Sequence, residues 1–238
     1  MPRFEKFYVG PSMVDATGNL KLVNFFSLFQ EIASRNSDEI GIGKDKTTDN
    51  GIDWIISRVR VDFYDLIPHG ETEEFYTYPS ELKNGFIFCR NGGIRNKDNK
   101  ILAQVSSMWA LIDNKTRRLI MRPNLPYVVD SLKGETPLPL PEKVQPEECS
   151  FFYKRTMRYS DCDLNGHVNN TRYIEMISDI FPLDFYRSHF ITRLDINYVN
   201  ELHDGDEVNI YLSSDSTYVE GRVNDKVSFV AKIYFKNR

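Results

Sequence analysis

Two stretches of the chain carry apolar residues at the three- and four-residue spacing of a helix with one buried face. The first follows the turn DATGN and runs through Phe25, Phe26, Leu28 and Phe29; the second follows DLNGH and runs through Tyr173, Ile174, Met176 and Ile177. Asp and Gly mark each turn, as expected just ahead of a helix start. This predicts helices near residues 21–35 and 168–186. Elsewhere apolar positions alternate, which predicts strands. ISRVRVDF, EEFYTYPS, GFIFCRNGGI and ILAQVSSMWALID do so in the first half, and ITRLDINY, EVNIYLSS, TYVEGRV and KVSFVAKIYF in the second.

The two sets repeat each other. A shift of 148 residues lays Asp15 to Glu31 over Asp163 to Asp179 without a gap, pairing Gly18 with Gly166, Phe25 with Tyr173 and Phe29 with Ile177. A shift of 135 residues lays Ile56 to Thr72 over Ile191 to Glu207. The two shifts differ by 148 − 135 = 13 residues, so the first copy carries an insertion between helix and strand, most simply at Gly43 to Gly51. Six of the 11 prolines fall between residues 123 and 146, a composition that favours an extended linker. The expected organisation is one unit over 1–123, a linker over 124–149 and a second unit over 150–238. Each unit reads as an early strand, a long helix and antiparallel strands that cover it, an α+β fold.

Composition narrows the function. Lys plus Arg number 30 against 34 Asp plus Glu, a formal charge of −4, which lacks the basic footprint of a nucleic-acid binder. Three widely spaced cysteines make neither a disulfide framework nor a C-x-x-C pair, pointing to a reducing compartment. The N-terminus MPRFEKFYVGPS has no apolar signal core, and no run of about 18 apolar residues occurs, so a cytoplasmic chain with no membrane span is expected.

The chemistry concentrates in the second turn, RYSDCDLNGHVNN, where Asp163, Asn165 and His167 sit at alternate positions before the helix. At that spacing the side chains can project to one side, and the helix start offers N–H groups for a developing oxyanion. Asp161-x-Asp163-x-Asn165-Gly166 copies the opening of a calcium loop, but Arg172 stands where the closing Glu is required. Asn169-Asn170-Thr171 fits the glycosylation triplet, which carries little weight without a secretory signal. Asp and Asn are also ordinary turn residues, so a structural role competes for Asp163 and Asn165. The repeat discriminates better. Thr17 and Asn19 answer Asn165 and His167, and Leu66 answers Glu201, so one copy alone is equipped for proton transfer near neutral pH.

DLNGHVNNTRYIEMI resembles the active-site segment of acyl-[acyl-carrier-protein] thioesterases, D-x-N-x-H-V-N-N followed by an apolar helix. INYVNEL resembles the strand that supplies this family's catalytic Glu, and the similarity extends over nearly the whole chain. The resemblance implies a tandem, or double, hot-dog fold and hydrolysis of fatty acyl thioesters on acyl carrier protein, with no cofactor or metal. It makes Asp163, Asn165, His167 and Glu201 the catalytic set. The Cys proposed as nucleophile in plant members is Leu202 here, so a Cys–His mechanism is not expected and Cys162 reads as an inert turn residue. Glu201 or Asp163 then activates water or attacks the thioester, with His167 protonating the leaving thiolate. Phe25, Phe26 and Phe29 are candidates for an acyl tunnel, with plain core packing as the alternative. Rival readings are an acyl-coenzyme A thioesterase and a non-hydrolytic acyl-thioester sensor. A chain that already contains both units can still form a homodimer.

Overall fold

Residues 2–121, 124 and 137–238 are described by a computed structural model. Among the described residues the eight alternating segments and one early strand in each half form ten strands, and the helices lie against them. The first half holds β1 (Arg3–Tyr8), α1 (Leu22–Glu39), α2 (Lys44–Asp49), β2 (Ile52–Phe63), β3 (Thr72–Lys83), β4 (Ile87–Arg95) and β5 (Ile101–Asp113). The second holds β6 (Ser150–Thr156), α3 (Asn170–Ser178), α4 (Leu183–Ser188), β7 (His189–Tyr198), β8 (Glu207–Leu212), β9 (Tyr218–Val223) and β10 (Lys226–Asn237). All belong to one antiparallel sheet in the order β1-β3-β4-β5-β2-β7-β10-β9-β8-β6. The order reads the same from either edge once each strand is exchanged for its repeat partner. The halves join where β2 pairs β7, from Arg58 opposite Asn197 to Asp62 opposite Arg193.

The repeat holds at the level of single hydrogen bonds. Gly18 and Gly166 take φ of 78° and 76°, the left-handed region that glycine enters without a Cβ clash. Asp15 N–H donates to Asn19 O at 2.9 Å, and Asp163 N–H to His167 O at 2.8 Å. Leu20 N–H reaches Ile67 O and Val168 N–H reaches Leu202 O, both at 2.8 Å, so both shifts are realised in register. The 13-residue insertion contains α2.

The second helix is shorter than its periodicity predicts. Instead of running over 168–186 it ends at Ser178, and α4 restarts at Leu183. Pro182 explains the break: it has no N–H to donate and disfavours helical backbone at the residue before it. α1 runs a few residues past the expected 35, and Gly41, with φ 73°, lies just beyond its end. Most of the Pro-rich connection, residues 125–136, lies outside the described residues. Residues 137–149 run without regular structure beside β7, where Asn197 Oδ1 accepts from Val144 N–H at 2.8 Å and Asn197 Nδ2 donates to Glu142 O at 3.2 Å.

The core lies between helices and sheet. Phe25 is fully buried, its ring 5.2 Å from Phe63 and 5.3 Å from Phe75. Phe25→Ala is expected to destabilise the chain by about 3–5 kcal/mol, measured by denaturant unfolding, because the cavity left behind adds to the lost transfer energy.

Candidate active site

The hydrogen bond from Val168 to Leu202 ties the second turn to the chain just beyond β7, and this places His167 beside Glu201. His167 Nε2 lies 3.7 Å from Glu201 Oε2, both side chains about one-third exposed. A small adjustment or one water closes that gap for proton transfer. The other carboxylate oxygen of Glu201 accepts from Arg117 Nη2, and Arg117 Nη1 lies 3.7 Å from Asp53 Oδ2. The His203 ring packs edge-on against His167 with centroids 5.1 Å apart. Ligand atoms of His167, Glu201 and His203 lie within 4.8 Å of one another, so these three residues are the group spaced to hold a metal among the described residues.

Asp163 and Asn165 serve a different surface. Both line a cavity of about 800 Å³ that runs between α1 and the first-half strands. The Asp163 carboxylate accepts from Asn165 N–H at 2.8 Å, and Asn165 Oδ1 accepts from Lys44 Nζ at 3.0 Å. Lys44 comes from the insertion, whose Gly43 and Thr47 also line the cavity. The turn therefore has two faces: Asp163 and Asn165 toward the cavity, His167 toward Glu201. Among the described residues no side-chain hydrogen bond or ion pair joins the two pairs; the backbone bond from Asp163 N–H to His167 O is their only direct link.

Phe26 and Phe29 stand on the cavity wall, whereas Phe25 packs into the core and does not line it. That corrects the expectation for Phe25: one residue along a helix turns the side chain by about 100°. Helix α3 starts at the cavity mouth, but two of its first amides are already used. Asn169 Oδ1 accepts from Thr171 N–H at 2.9 Å, and Asn169 O from Arg172 N–H at 2.9 Å. Asn170 N–H has no hydrogen-bond acceptor among the described residues.

Neither calcium nor a thiol nucleophile fits the turn. Asp161 is buried and accepts from Arg155 Nη2 at 2.8 Å and from Arg158 N–H at 2.9 Å, so it anchors the loop rather than facing a cation. Desolvation, then the carboxylates of Asp204, Asp161 and Asp163, push the Cys162 thiol up, away from the thiolate that attack requires.

The first-copy turn has the same backbone and none of this chemistry. Asp15 Oδ1 accepts from Thr17 N–H at 2.7 Å, while Asn19 Nδ2 donates to Thr17 Oγ1 at 2.9 Å. Leu66 stands in place of Glu201, beside a second cavity of about 760 Å³. Lys44, Arg117 and His203 escaped sequence reasoning. Lys44 starts α2 and Arg117 follows β5, both in the other half of the chain, where no local pattern ties them to the turn. Arg117→Ala is expected to slow turnover by about twofold to fivefold, the worth of a half-exposed ion pair, measured as kcat.

Fold and site together define a two-in-one hot-dog protein in which one copy of the turn carries a His–Glu pair and borders a deep cavity. The chain belongs to the acyl-ACP thioesterase family: residues 3–124 match its N-terminal domain and residues 144–233 its C-terminal domain. An acyl-[acyl-carrier-protein] hydrolase of Cuphea viscosissima is 27% identical over 79% of this chain. The oleoyl-acyl carrier protein thioesterase 1 of Arabidopsis thaliana is 23% identical over 86% of it. The chain spans 48% of the first of these relatives and 61% of the second. The crystal structure of an acyl-ACP thioesterase from Bacteroides thetaiotaomicron superposes with a TM-score of 0.91 at 27% identity, covering 99% of this chain and 98% of that one. A 12:0-ACP thioesterase from Umbellularia californica, 18% identical with a TM-score of 0.83 over 100% of this chain and 98% of that one, shares the fold. No helix among the described residues is long and apolar enough to cross a membrane.

Proposed function

We propose that this chain hydrolyses the thioester of fatty acyl-[acyl carrier protein], releasing free fatty acid and ending chain elongation. The observation that carries the reading is the pairing of His167 with Glu201 on the far side of a turn whose Asp163 and Asn165 line an acyl-sized cavity. Family membership and the Bacteroides structure support it. The first unit, residues 1–123, supplies most of the cavity wall and holds the acyl chain; the second, 150–238, supplies the reacting groups; the connection 124–149 joins them.

In this reading Asp163, on the cavity face, takes a proton from water, and the hydroxide adds to the thioester carbonyl. Asn165 positions the carbonyl, and Asn170 N–H stabilises the oxyanion. When the tetrahedral intermediate collapses, the C–S bond breaks and His167 gives its proton to the departing thiolate. Glu201, itself held by Arg117, orients the imidazole. The second reading, an acyl-coenzyme A thioesterase, uses the same steps and differs only in the carrier.

Incubating the purified chain with one acyl group on acyl carrier protein and on coenzyme A, and following free thiol, tests the proposal. Higher kcat/KM for the protein carrier is the expected result. Faster release from coenzyme A would transfer the assignment to the second reading, and thiol release from neither would leave a non-hydrolytic sensor.

A further inference from the structure

The inner end of the cavity holds a charge that the hydrolysis does not use. Arg90 lies on β4, 6% exposed, and its guanidinium borders the cavity together with Ser37 and Ser80. Nη1 donates to Asn36 Oδ1 at 2.8 Å and to Thr77 Oγ1 at 3.3 Å, and Nη2 donates to Ser37 Oγ at 2.9 Å. Every acceptor is neutral. Among the described side chains no carboxylate lies within ion-pair distance, although a desolvated cation held by neutral partners is costly. Burial lowers the guanidinium to about 10, which still leaves it charged at neutral pH.

A guanidinium has five N–H donors. Three are used, leaving Nε–H and one Nη2–H without an acceptor among the described residues. With that same edge Arg60 clasps Asp62 in this chain, Nε to Oδ1 at 3.0 Å and Nη2 to Oδ2 at 2.7 Å. An independent observation points the same way: Ser80, 4% exposed and on the cavity wall, has a buried Oγ with no hydrogen-bond partner. Neighbouring polar groups are satisfied, Trp54 Nε1 by Ile42 O at 2.9 Å and Trp109 Nε1 by Ser107 Oγ at 2.8 Å.

Sheet register sets the distance from the chemistry. The wall runs from Tyr198 on β7, near the catalytic turn, across β2, β5 and β4 to Ser80 on β3. Four strand spacings of about 4.8 Å make roughly 19 Å along the sheet. Between the ends stand Phe26, Phe29, Ile56, Phe88 and Trp109, an apolar passage.

We propose that the cavity takes acyl chains whose far end carries a carboxylate, received by the open edge of Arg90 and by Ser80. The proposal rests on the acyl-hydrolase reading for the reaction but not for the binding. The substrates are the monothioester of a straight-chain α,ω-dicarboxylic acid and the plain acyl thioester of equal length, both on acyl carrier protein, with a hydroxyl-ended chain as a third arm. The dicarboxylic arm should lead in kcat/KM by about tenfold to hundredfold, the usual worth of a charged hydrogen bond. Arg90→Met should abolish that preference, and Arg90→Lys, which keeps the cation but loses the fork, should reduce it if the Met variant does not fold. A plain or hydroxyl-ended chain that matches or outruns the dicarboxylic one in the wild type would overturn the proposal. So would an Arg90→Met variant that merely accepts longer plain chains, since Arg90 would then be a stop. A thermal-shift arm with the free dicarboxylic acid and the free monocarboxylic acid separates binding from reaction. Stabilisation by the former alone, lost in Arg90→Met, supports the site even if no thioester is cleaved, a result that would overturn the hydrolase reading instead.

Discussion

Asp163→Asn is expected to lower kcat by about 10²–10⁴, the contribution of a general base, with no loss of stability. The substitution separates two roles that the repeat keeps entangled. Both copies have Asp at this place, and both carboxylates accept from the backbone N–H two residues on, at 2.7 Å for Asp15 and 2.8 Å for Asp163. Asn retains an oxygen acceptor for that bond, so the turn survives while the charge and the basicity go. Asp15→Asn makes the same change in the copy without a titratable partner, and its hydrolysis rate should match wild type. Steady-state kinetics beside denaturant unfolding check both variants. If Asp163→Asn kept full activity, Asp163 would be a turn residue only, and the role of base would pass to Glu201.

His167→Ala is the second large effect, again about 10²–10⁴ in turnover, because the leaving thiolate loses its proton donor. The imidazole is one-third exposed and pairs with an exposed carboxylate, so its removal opens no core cavity and folding should change little. Asn19→Ala, its counterpart, should leave hydrolysis nearly intact: among the described residues the Asn19 side-chain amide bonds only to Thr17, and Leu66 offers no proton. Circular dichroism on both variants separates loss of chemistry from loss of fold. Equal losses would mean that both copies work or that neither does.

The repeat made most of this legible in advance. A gapless match fixes the register of turn, helix and strand together, since a one-residue slip would turn every apolar strand position outward. The same match set His167 and Glu201 apart from Asn19 and Leu66, while their 3.7 Å approach is seen only in the fold. The break at Pro182 was written in the chain, but the apolar spacing runs across it and reads as one helix. Phe25 and Phe26 are equally apolar, and only the packing shows which faces Phe63 and which faces the cavity. Lys44 and Arg117 reach the site over 121 and 84 residues of sequence separation, contacts that no local pattern encodes. Arg90 is hidden for another reason: a charged residue in an alternating strand reads as solvent-facing, and burial becomes visible only when α1 covers it.

The asymmetry between two copies of one turn is the central claim, and it can be tested by making them alike. A chain carrying Asn165→Thr, His167→Asn and Glu201→Leu has the side chains that Thr17, Asn19 and Leu66 already place in the same register, so it should fold. Release of free fatty acid from acyl carrier protein is the measurement, taken beside thermal unfolding. The predicted result is a folded protein whose fatty-acid release falls to background. Release at the wild-type rate from that triple variant would show that the chemistry lies elsewhere.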